Sequence, residues 1–118
     1  MKILIAEDDY ATTKLYEIGF KEDEITTCIN GEDFVMAYSD DYDEFILDIK
    51  MPIKNGFEVL DFLKGINNKI PIVFVTAALE MVTPIDREKL KEHLIIQKPI
   101  LTSELRNKIL KYIKTCAN

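Results

Sequence analysis

The stretch FILDIKMP, from Phe45 to Pro52, joins a short apolar run to a single acidic residue. Phe45 to Leu47 are apolar, and they lead directly into Asp48. A continuous apolar run is typical of a strand that is covered on both faces of a sheet. Met51-Pro52 then ends the run, because proline cannot donate a hydrogen bond to a neighbouring strand. The stretch therefore predicts a buried strand whose carboxyl end carries the carboxylate of Asp48.

Segments of this kind recur along the chain and alternate with segments of helical period. The other strand-like segments are Lys2 to Ala6, Ile25 to Ile29, Ile70 to Val75 and Leu94 to Ile96. The helical segments are Thr12 to Ile18, the turn at Asn30 through Tyr38, Asn55 to Leu63, a helix opened by Thr83-Pro84, and a last helix capped by Thr102 or Ser103. This alternation predicts an α/β fold, with a doubly wound five-stranded parallel sheet and five helices on its two faces.

Length and composition fit one domain, predicted to span residues 1–118, with a substantial core. The chain has 118 residues, of which 47% are apolar, a share that supports a folded core at this length. The net charge of −6 argues against nonspecific binding of nucleic acid or of an anionic membrane, because both need a basic face. No apolar run approaches the ~20 residues of a membrane span, and none forms a signal-peptide core. These features predict a cytoplasmic protein.

The cysteines and the histidine give no sign of a metal or redox site. Cys28 and Cys116 lie far apart and form no CxxC pair, so both are predicted to be reduced. The single histidine, His93, stands in a charged stretch and is predicted to lie on the surface. The acidic runs at 21–24 and 39–44 are predicted to be solvated loops.

Polar side chains stand where the predicted strands end. They are Glu7, Asp8 and Asp9 after the first strand, Asp48 at the end of the third, Thr76 after the fourth and Lys98 after the fifth. Ligands of open parallel sheets bind outside the carboxyl ends of the strands, so these side chains should share one site. Clustered carboxylates repel one another unless a cation is present, and Mg²⁺ is the cation that suits oxygen ligands. A carboxylate beside Mg²⁺ and a lysine can attack a phosphoryl donor and form an acyl phosphate.

Over essentially its whole length, the chain resembles the receiver domain of two-component response regulators. The matching motifs are Glu7-Asp8 after KILIA, Asp48 in LDIKMP, Asn55-Gly56, Thr76-Ala77 after IVFV, and Lys98-Pro99. One such motif would be a weak signal, whereas all of them in order at strand ends make a strong one. The resemblance implies a flavodoxin-like (βα)5 fold with strand order 2-1-3-4-5.

The resemblance also implies a role for each residue of the site. The roles are phosphoacceptor for Asp48, Mg²⁺ ligands for Asp8, Asp48 and the backbone carbonyl of Lys50, support of Mg²⁺ through water for Glu7, switch hydroxyl for Thr76, and pairing with the phosphoryl group for Lys98. The Lys98-Pro99 bond is expected to be cis. The acid pair could instead be Asp8-Asp9, but Glu7-Asp8 is preferred because it follows the strand directly and leaves Asp9 to begin the first helix.

A receiver implies partners of two kinds. The phosphoryl group would come from a sensor histidine kinase or a histidine phosphotransfer protein, which would dock on the first helix near Tyr10, Lys14 and Glu17. Phosphorylation would then shift a two-state equilibrium and change the binding of an unknown downstream protein, with a phosphorylation-dependent dimer left open. The chain would be a phosphoacceptor and not a turnover enzyme. It is expected to hold no output domain, and either stands alone or is the amino-terminal part of a longer regulator.

One position departs from the pattern and keeps a second hypothesis open. Receivers usually have an aromatic residue three positions before the lysine, whereas this chain has Ile95. Without that aromatic residue, either another group reports phosphorylation or the response is muted. A receiver-like binding module that works without phosphorylation is therefore an alternative.

Two further alternatives are disfavoured by particular residues. A Mg²⁺-dependent phosphatase with an aspartyl nucleophile usually needs an acid two residues beyond the nucleophile, and that position is Lys50. A flavodoxin-like cofactor carrier would need a Gly/Ser/Thr-rich phosphate loop after the first strand, where this chain has Glu7-Asp8-Asp9.

Overall fold

The computed structural model describes residues 1–77, 79–99 and 102–116. Its strands are β1 (Lys2–Ala6), β2 (Glu24–Cys28), β3 (Glu44–Leu47), β4 (Ile72–Thr76) and β5 (Leu94–Gln97). Its helices are α1 (Tyr10–Gly19), α2 (Gly31–Ala37), α3 (Gly56–Gly65), α4 (Pro84–Leu90) and α5 (Thr102–Cys116), with a short 3₁₀ helix at Leu79–Met81. All pairings are parallel and the order is β2-β1-β3-β4-β5. The predicted fold class and strand order are confirmed.

Two apolar layers cover the two faces of the sheet. On one face, Tyr16 of α1, Phe20 just after α1, and Leu105 and Ile109 of α5 pack on alternate strand residues such as Ile46. On the other face, side chains of α2, α3 and α4 pack on the remaining strand residues; they include Phe34, Val59, Leu60, Leu63 and Leu90. Because side chains alternate along a strand, successive buried strand residues belong to opposite layers. The same alternation decides on which face of the sheet each side chain just beyond a strand end lies.

The edge strand β2 differs from the prediction that the strands are buried on both faces. Thr26 and Thr27 are exposed, whereas every residue of β3 and β4 is buried. The reason is topological, because β2 pairs with a strand on only one side and lies at the margin of the helical layers.

Capping side chains fix where three of the helices begin, and so where the preceding loops end. The side chain of Asp9 accepts a hydrogen bond from the backbone N of Thr12, so Asp9 begins α1 as predicted. Asn55 and Glu58 form a capping box at the start of α3. Thr83 caps α4, with Pro84 in its first turn, as the sequence indicates.

Three residues predicted to be solvated are partly or wholly buried. Glu44 is the first residue of β3 and is 0% exposed. Asp23 is covered by its ion pairs with the amino terminus and Arg106, at 2.9 Å each. His93 is half-buried, with its ring centroid 5.8 Å from that of Phe74. In each case a neighbouring element covers a side chain that local composition marks as polar.

Candidate functional site

Strands β1, β3 and β5 bring an acid, a second acid and a lysine together at the carboxyl edge of the sheet. The ammonium Nζ of Lys98 lies 2.7 Å from Oε1 of Glu7 and 3.0 Å from Oδ2 of Asp48. Glu7 is 1% exposed and Asp48 is 7% exposed. A lysine shared between two largely buried carboxylates is the central feature of the site.

The backbone holds these side chains in place because the strand pairing continues past the formal strand ends. The backbone N of Asp48 donates to the carbonyl of Ala6 at 3.0 Å, and that of Lys98 donates to the carbonyl of Thr76 at 2.8 Å. The backbone N of Ile49 donates to Oδ1 of Asp48 at 2.7 Å and so orients its carboxylate. The Lys98-Pro99 bond is cis, as predicted.

The burial of this cluster shifts the affinity of its groups for protons. Burial raises the pKa of Glu7; the Lys98 ammonium opposes this, the charge of Asp48 adds to it, and the net value is about 7. For Lys98, burial lowers the pKa, but hydrogen bonds to Glu7 and Asp48 outweigh burial and raise it overall. The site therefore brings two carboxylates against one ammonium, and burial makes the excess negative charge unfavourable.

Asp8 completes an acidic group suited to a hard cation. One carboxylate oxygen from each of Glu7, Asp8 and Asp48 lies within 4.8 Å of the others. Asp8 is exposed while the other two are buried, so the group opens to solvent on one side. Oε1 of Glu7 is buried, with the Lys98 ammonium 2.7 Å away. Three converging carboxylates fit Mg²⁺, whose ligands are carboxylates, carbonyls and water.

The remaining predicted site residues take positions consistent with the same edge. Thr76 is the last residue of β4, is 1% exposed, and pairs in register with Gln97, the residue before Lys98. Lys50 is exposed in the loop after β3, two residues beyond Asp48. The role of the Lys50 carbonyl as a metal ligand stays a prediction. Ile95 is half-buried and packs against the core layer that contains Phe74.

Gly56 allows the loop after β3 to return close to Asp48. Its backbone N donates to the carbonyl of Ile49 at 2.8 Å. A Cβ atom at this position would overlap the backbone carbonyl oxygen of Asp48. Only glycine avoids that overlap, which gives the Asn55-Gly56 motif a physical reason.

The same loop contains a strained residue at Ile53. Its φ is 69°, and the backbone N of Lys54 donates to the carbonyl of Pro52 at 2.8 Å across it. This closes a γ-turn of the rare, strained form with positive φ. A β-branched residue is a poor occupant of such a turn, and its side chain is 74% exposed.

We expect Ile53→Asn to raise the free energy of unfolding by about 1 kcal/mol, because asparagine tolerates positive φ far better. Urea denaturation of the two proteins measures the change. Ile29→Asn is the matched control, since Ile29 is 67% exposed but has no positive φ. An equal gain in both variants would show that lost exposed apolar surface, and not relieved strain, is the cause.

Comparison with known proteins agrees with this fold. A model of the response regulator receiver domain family matches residues 3–110. The chain belongs to that family.

Individual relatives are longer proteins. The chain is 39% identical over 82 residues to the transcriptional regulatory protein CusR of Escherichia coli K12, a match that covers 65% of this chain and 35% of CusR. It is 27% identical over 105 residues to the response regulator SaeR of Staphylococcus aureus, a match that covers 87% of this chain and 46% of SaeR. The chain thus matches less than half the length of each.

Solved structures show the same fold. A CheY-like receiver domain protein from Methanospirillum hungatei JF-1 superposes with a TM-score of 0.83 at 18% identity, covering 98% of this chain and 95% of that one. The BeF3-activated DrrB receiver domain superposes with a TM-score of 0.80 at 19% identity, covering 96% of this chain and 97% of that one. Among the described residues, no helix has the length and apolar character needed to cross a membrane.

Proposed function

We propose that this chain is the phosphoaccepting receiver of a two-component phosphorelay, with Asp48 as the phosphoacceptor. The observation that carries the proposal is the Lys98 ammonium held at 2.7 Å from Glu7 and 3.0 Å from Asp48. A lysine in this place can pair with a phosphoryl group on Asp48, because the charge that develops there is negative.

The reaction is a transfer of one phosphoryl group. A carboxylate oxygen of Asp48 attacks the phosphorus atom of a phosphohistidine, the P–N bond breaks, and an acyl phosphate forms while the electron pair returns to the imidazole. Lys98 balances charge on the phosphoryl oxygens, and the hydroxyl of Thr76 hydrogen-bonds one of them. The donor is a sensor histidine kinase or a histidine phosphotransfer protein.

Mg²⁺ is the cofactor that the acidic group fits. Asp8 and Asp48 would hold it directly, the Lys50 carbonyl would add an oxygen, and Glu7 would act through water. When bound, the ion supplies positive charge that stabilises the phosphoryl oxygens. The protein's own contribution is to hold Asp48 by its backbone and to keep Lys98 beside it.

The chain is proposed to act as a switch and not as a turnover enzyme. A turnover enzyme of this kind needs an acid two residues beyond Asp48 to protonate the leaving group, and this chain has Lys50 there. Phosphorylation would change the affinity for a downstream protein, with dimer formation as one form of that change. The chain is proposed to act in the cytoplasm, and its net charge of −6 argues against direct binding of nucleic acid or of an anionic membrane.

A second candidate is a receiver-like module that binds its partner without phosphorylation. Ile95 favours it, because an aliphatic side chain packed on the core cannot act as the aromatic reporter that receivers usually carry. The shared lysine between Glu7 and Asp48 argues against it.

Intact mass spectrometry after incubation with Mg²⁺ and acetyl phosphate tests the proposal. We expect a gain of ~80 Da, the mass of one phosphoryl group, that requires both Mg²⁺ and Asp48. Asp48→Asn is the matched control, because it keeps the size of the side chain and removes the nucleophile. The absence of any gain under conditions that phosphorylate a known receiver would favour the binding module instead.

A further inference from the structure

Tyr16 lies in the apolar layer directly beneath the site. It is 1% exposed and packs in the layer that contains Ile5 and Ile46. Alternation along β1 places Glu7 on the same face as Ile5, and alternation along β3 places Asp48 on the same face as Ile46. The ring of Tyr16 and the two carboxylates therefore share one face of the sheet.

The hydroxyl of Tyr16 is buried in this layer and has no hydrogen-bond partner within the described residues. Burial raises the pKa of Tyr16 well above its usual value, and the charges of Glu7 and Asp48 raise it further. Helical spacing in the sequence marks Tyr16 only as a core residue, and nothing local indicates where its hydroxyl lies.

The Tyr16 hydroxyl is a donor without a partner among the described residues, and Oε1 of Glu7 has the Lys98 ammonium beside it. Within the described residues, the hydroxyl of Tyr16 is buried and makes no hydrogen bond, whereas Oε1 of Glu7 is buried beside the Lys98 ammonium at 2.7 Å. The other oxygen of Glu7 accepts from the backbone N of Asp9 at 3.1 Å, so Oε1 depends on its ion pair with Lys98. A buried hydroxyl without a partner lowers the stability of the fold by about 1–3 kcal/mol. A hydrogen bond formed later by the Tyr16 hydroxyl would recover part of that loss.

We propose that Tyr16 is a positioning residue of the phosphoacceptor site, whose hydroxyl donates a hydrogen bond to Glu7 when Lys98 turns from Glu7 to the phosphorylated Asp48. This inference rests on the proposed function. In the unphosphorylated protein, Lys98 compensates Glu7 and Asp48 together. A phosphoryl group adds negative charge on Asp48 and draws the ammonium toward it, which takes from Oε1 of Glu7 the ammonium that now lies 2.7 Å away.

The same arrangement offers a route from the site to α1. Tyr16 belongs to α1, whose outward side carries the exposed residues Leu15 and Ile18. A hydrogen bond formed by Tyr16 only in the phosphorylated state would bias the position of α1. It would do so without an aromatic residue at position 95.

The test compares Tyr16→Phe with the unmodified protein in binding beryllofluoride, a phosphoryl mimic, in the presence of Mg²⁺. Tyr16→Phe keeps the ring and removes only the hydroxyl, so we expect the dissociation constant for beryllofluoride to rise about fivefold, as for one lost hydrogen bond. Tyr112→Phe is the matched control, since it removes a half-buried hydroxyl that donates at 3.2 Å to the carbonyl of Glu92, away from the site. We expect it to change the constant by less than about twofold.

A spectroscopic measurement separates this role from simple packing. The Cζ resonance of Tyr16 in ¹³C-labelled protein should shift when beryllofluoride binds, whereas that of Tyr112 should not. An unchanged Tyr16 resonance, or a dissociation constant for Tyr16→Phe equal to that of the unmodified protein, overturns the inference and leaves the proposed function standing. If the unmodified protein binds no beryllofluoride and gains no phosphoryl group, both fall. If Tyr16→Phe does not fold, the resonance alone decides.

Discussion

Replacing Glu44 by glutamine is expected to remove a fall in stability of about 1.4 kcal/mol per pH unit between roughly pH 6 and pH 9. Glu44 is 0% exposed, and neither of its carboxylate oxygens has a hydrogen-bond partner within the described residues. Burial, with a smaller contribution from the charge of Cys116, raises the pKa of Glu44 to about 10. Over this range the folded protein keeps the proton of Glu44.

The sign of the effect follows from where the proton is bound. The unfolded chain releases the proton near the ordinary pKa of 4.5, while the folded protein holds it up to about 10. The unfolded state therefore binds one proton fewer between these values, and rising pH favours unfolding. The contribution of Glu44 to stability is complete below about pH 4.5 and is lost progressively as the pH rises to 10.

Urea denaturation at several pH values measures this slope. Other groups, Glu7 among them, also titrate in the range, so the informative quantity is the difference in slope between Glu44→Gln and the unmodified protein. Glu24→Gln is the matched control, because Glu24 is the first residue of β2 as Glu44 is of β3, but it is exposed. Parallel stability curves for all three proteins would contradict a buried, protonated Glu44.

Replacing Lys98 by methionine is expected to lower the free energy of unfolding by about 3 kcal/mol at pH 8 without divalent metal. Methionine keeps the length and apolar body of the side chain and removes the charge. Glu7 and Asp48 would then be two largely buried carboxylates without the ammonium that now lies 2.7 and 3.0 Å from them. Removing one partner of a buried ion pair is costly because the other partner stays desolvated.

Lys54→Met provides the comparison that isolates burial. Lys54 also pairs with a glutamate, at 3.4 Å from Oε2 of Glu32, but the two side chains are 37% and 42% exposed. Solvent screens an exposed pair, so we expect a loss below about 1 kcal/mol. Urea denaturation of both variants checks this, and equal losses would mean that burial does not set the cost at Lys98.

Added Mg²⁺ should restore part of the lost stability in Lys98→Met only, since the ion would replace positive charge at the site.

The local pattern of the chain was enough to predict the elements and the composition of the site. FILDIKMP became β3 with Asp48 beyond its carboxyl end, and the acids, threonine and lysine that follow the other strands reached the same edge. Such predictions succeed because a buried strand has a recognisable composition and because parallel strands bring their carboxyl ends together. The family motifs added the strand order and the cis bond before Pro99.

Predictions based on polarity alone failed where a distant element covers the residue. Glu44 and Asp23 read as parts of solvated acidic runs, yet Glu44 is buried at the start of β3 and Asp23 is bound by Arg106 of α5. The positive φ of Ile53 was also missed, since isoleucine gives no local sign of such a turn.

The sequence by itself determined that this protein is a five-stranded α/β receiver with acids, a hydroxyl and a lysine at the strand ends, because those properties depend on local periodicity and on the order of the elements. Only the tertiary structure decided that Lys98 is shared between Glu7 and Asp48, that the hydroxyl of Tyr16 is buried without a partner among the described residues, and that burial raises the pKa of Glu44. These properties depend on distances and on exclusion of water between elements far apart in the chain, and such quantities exist only after the layers have packed.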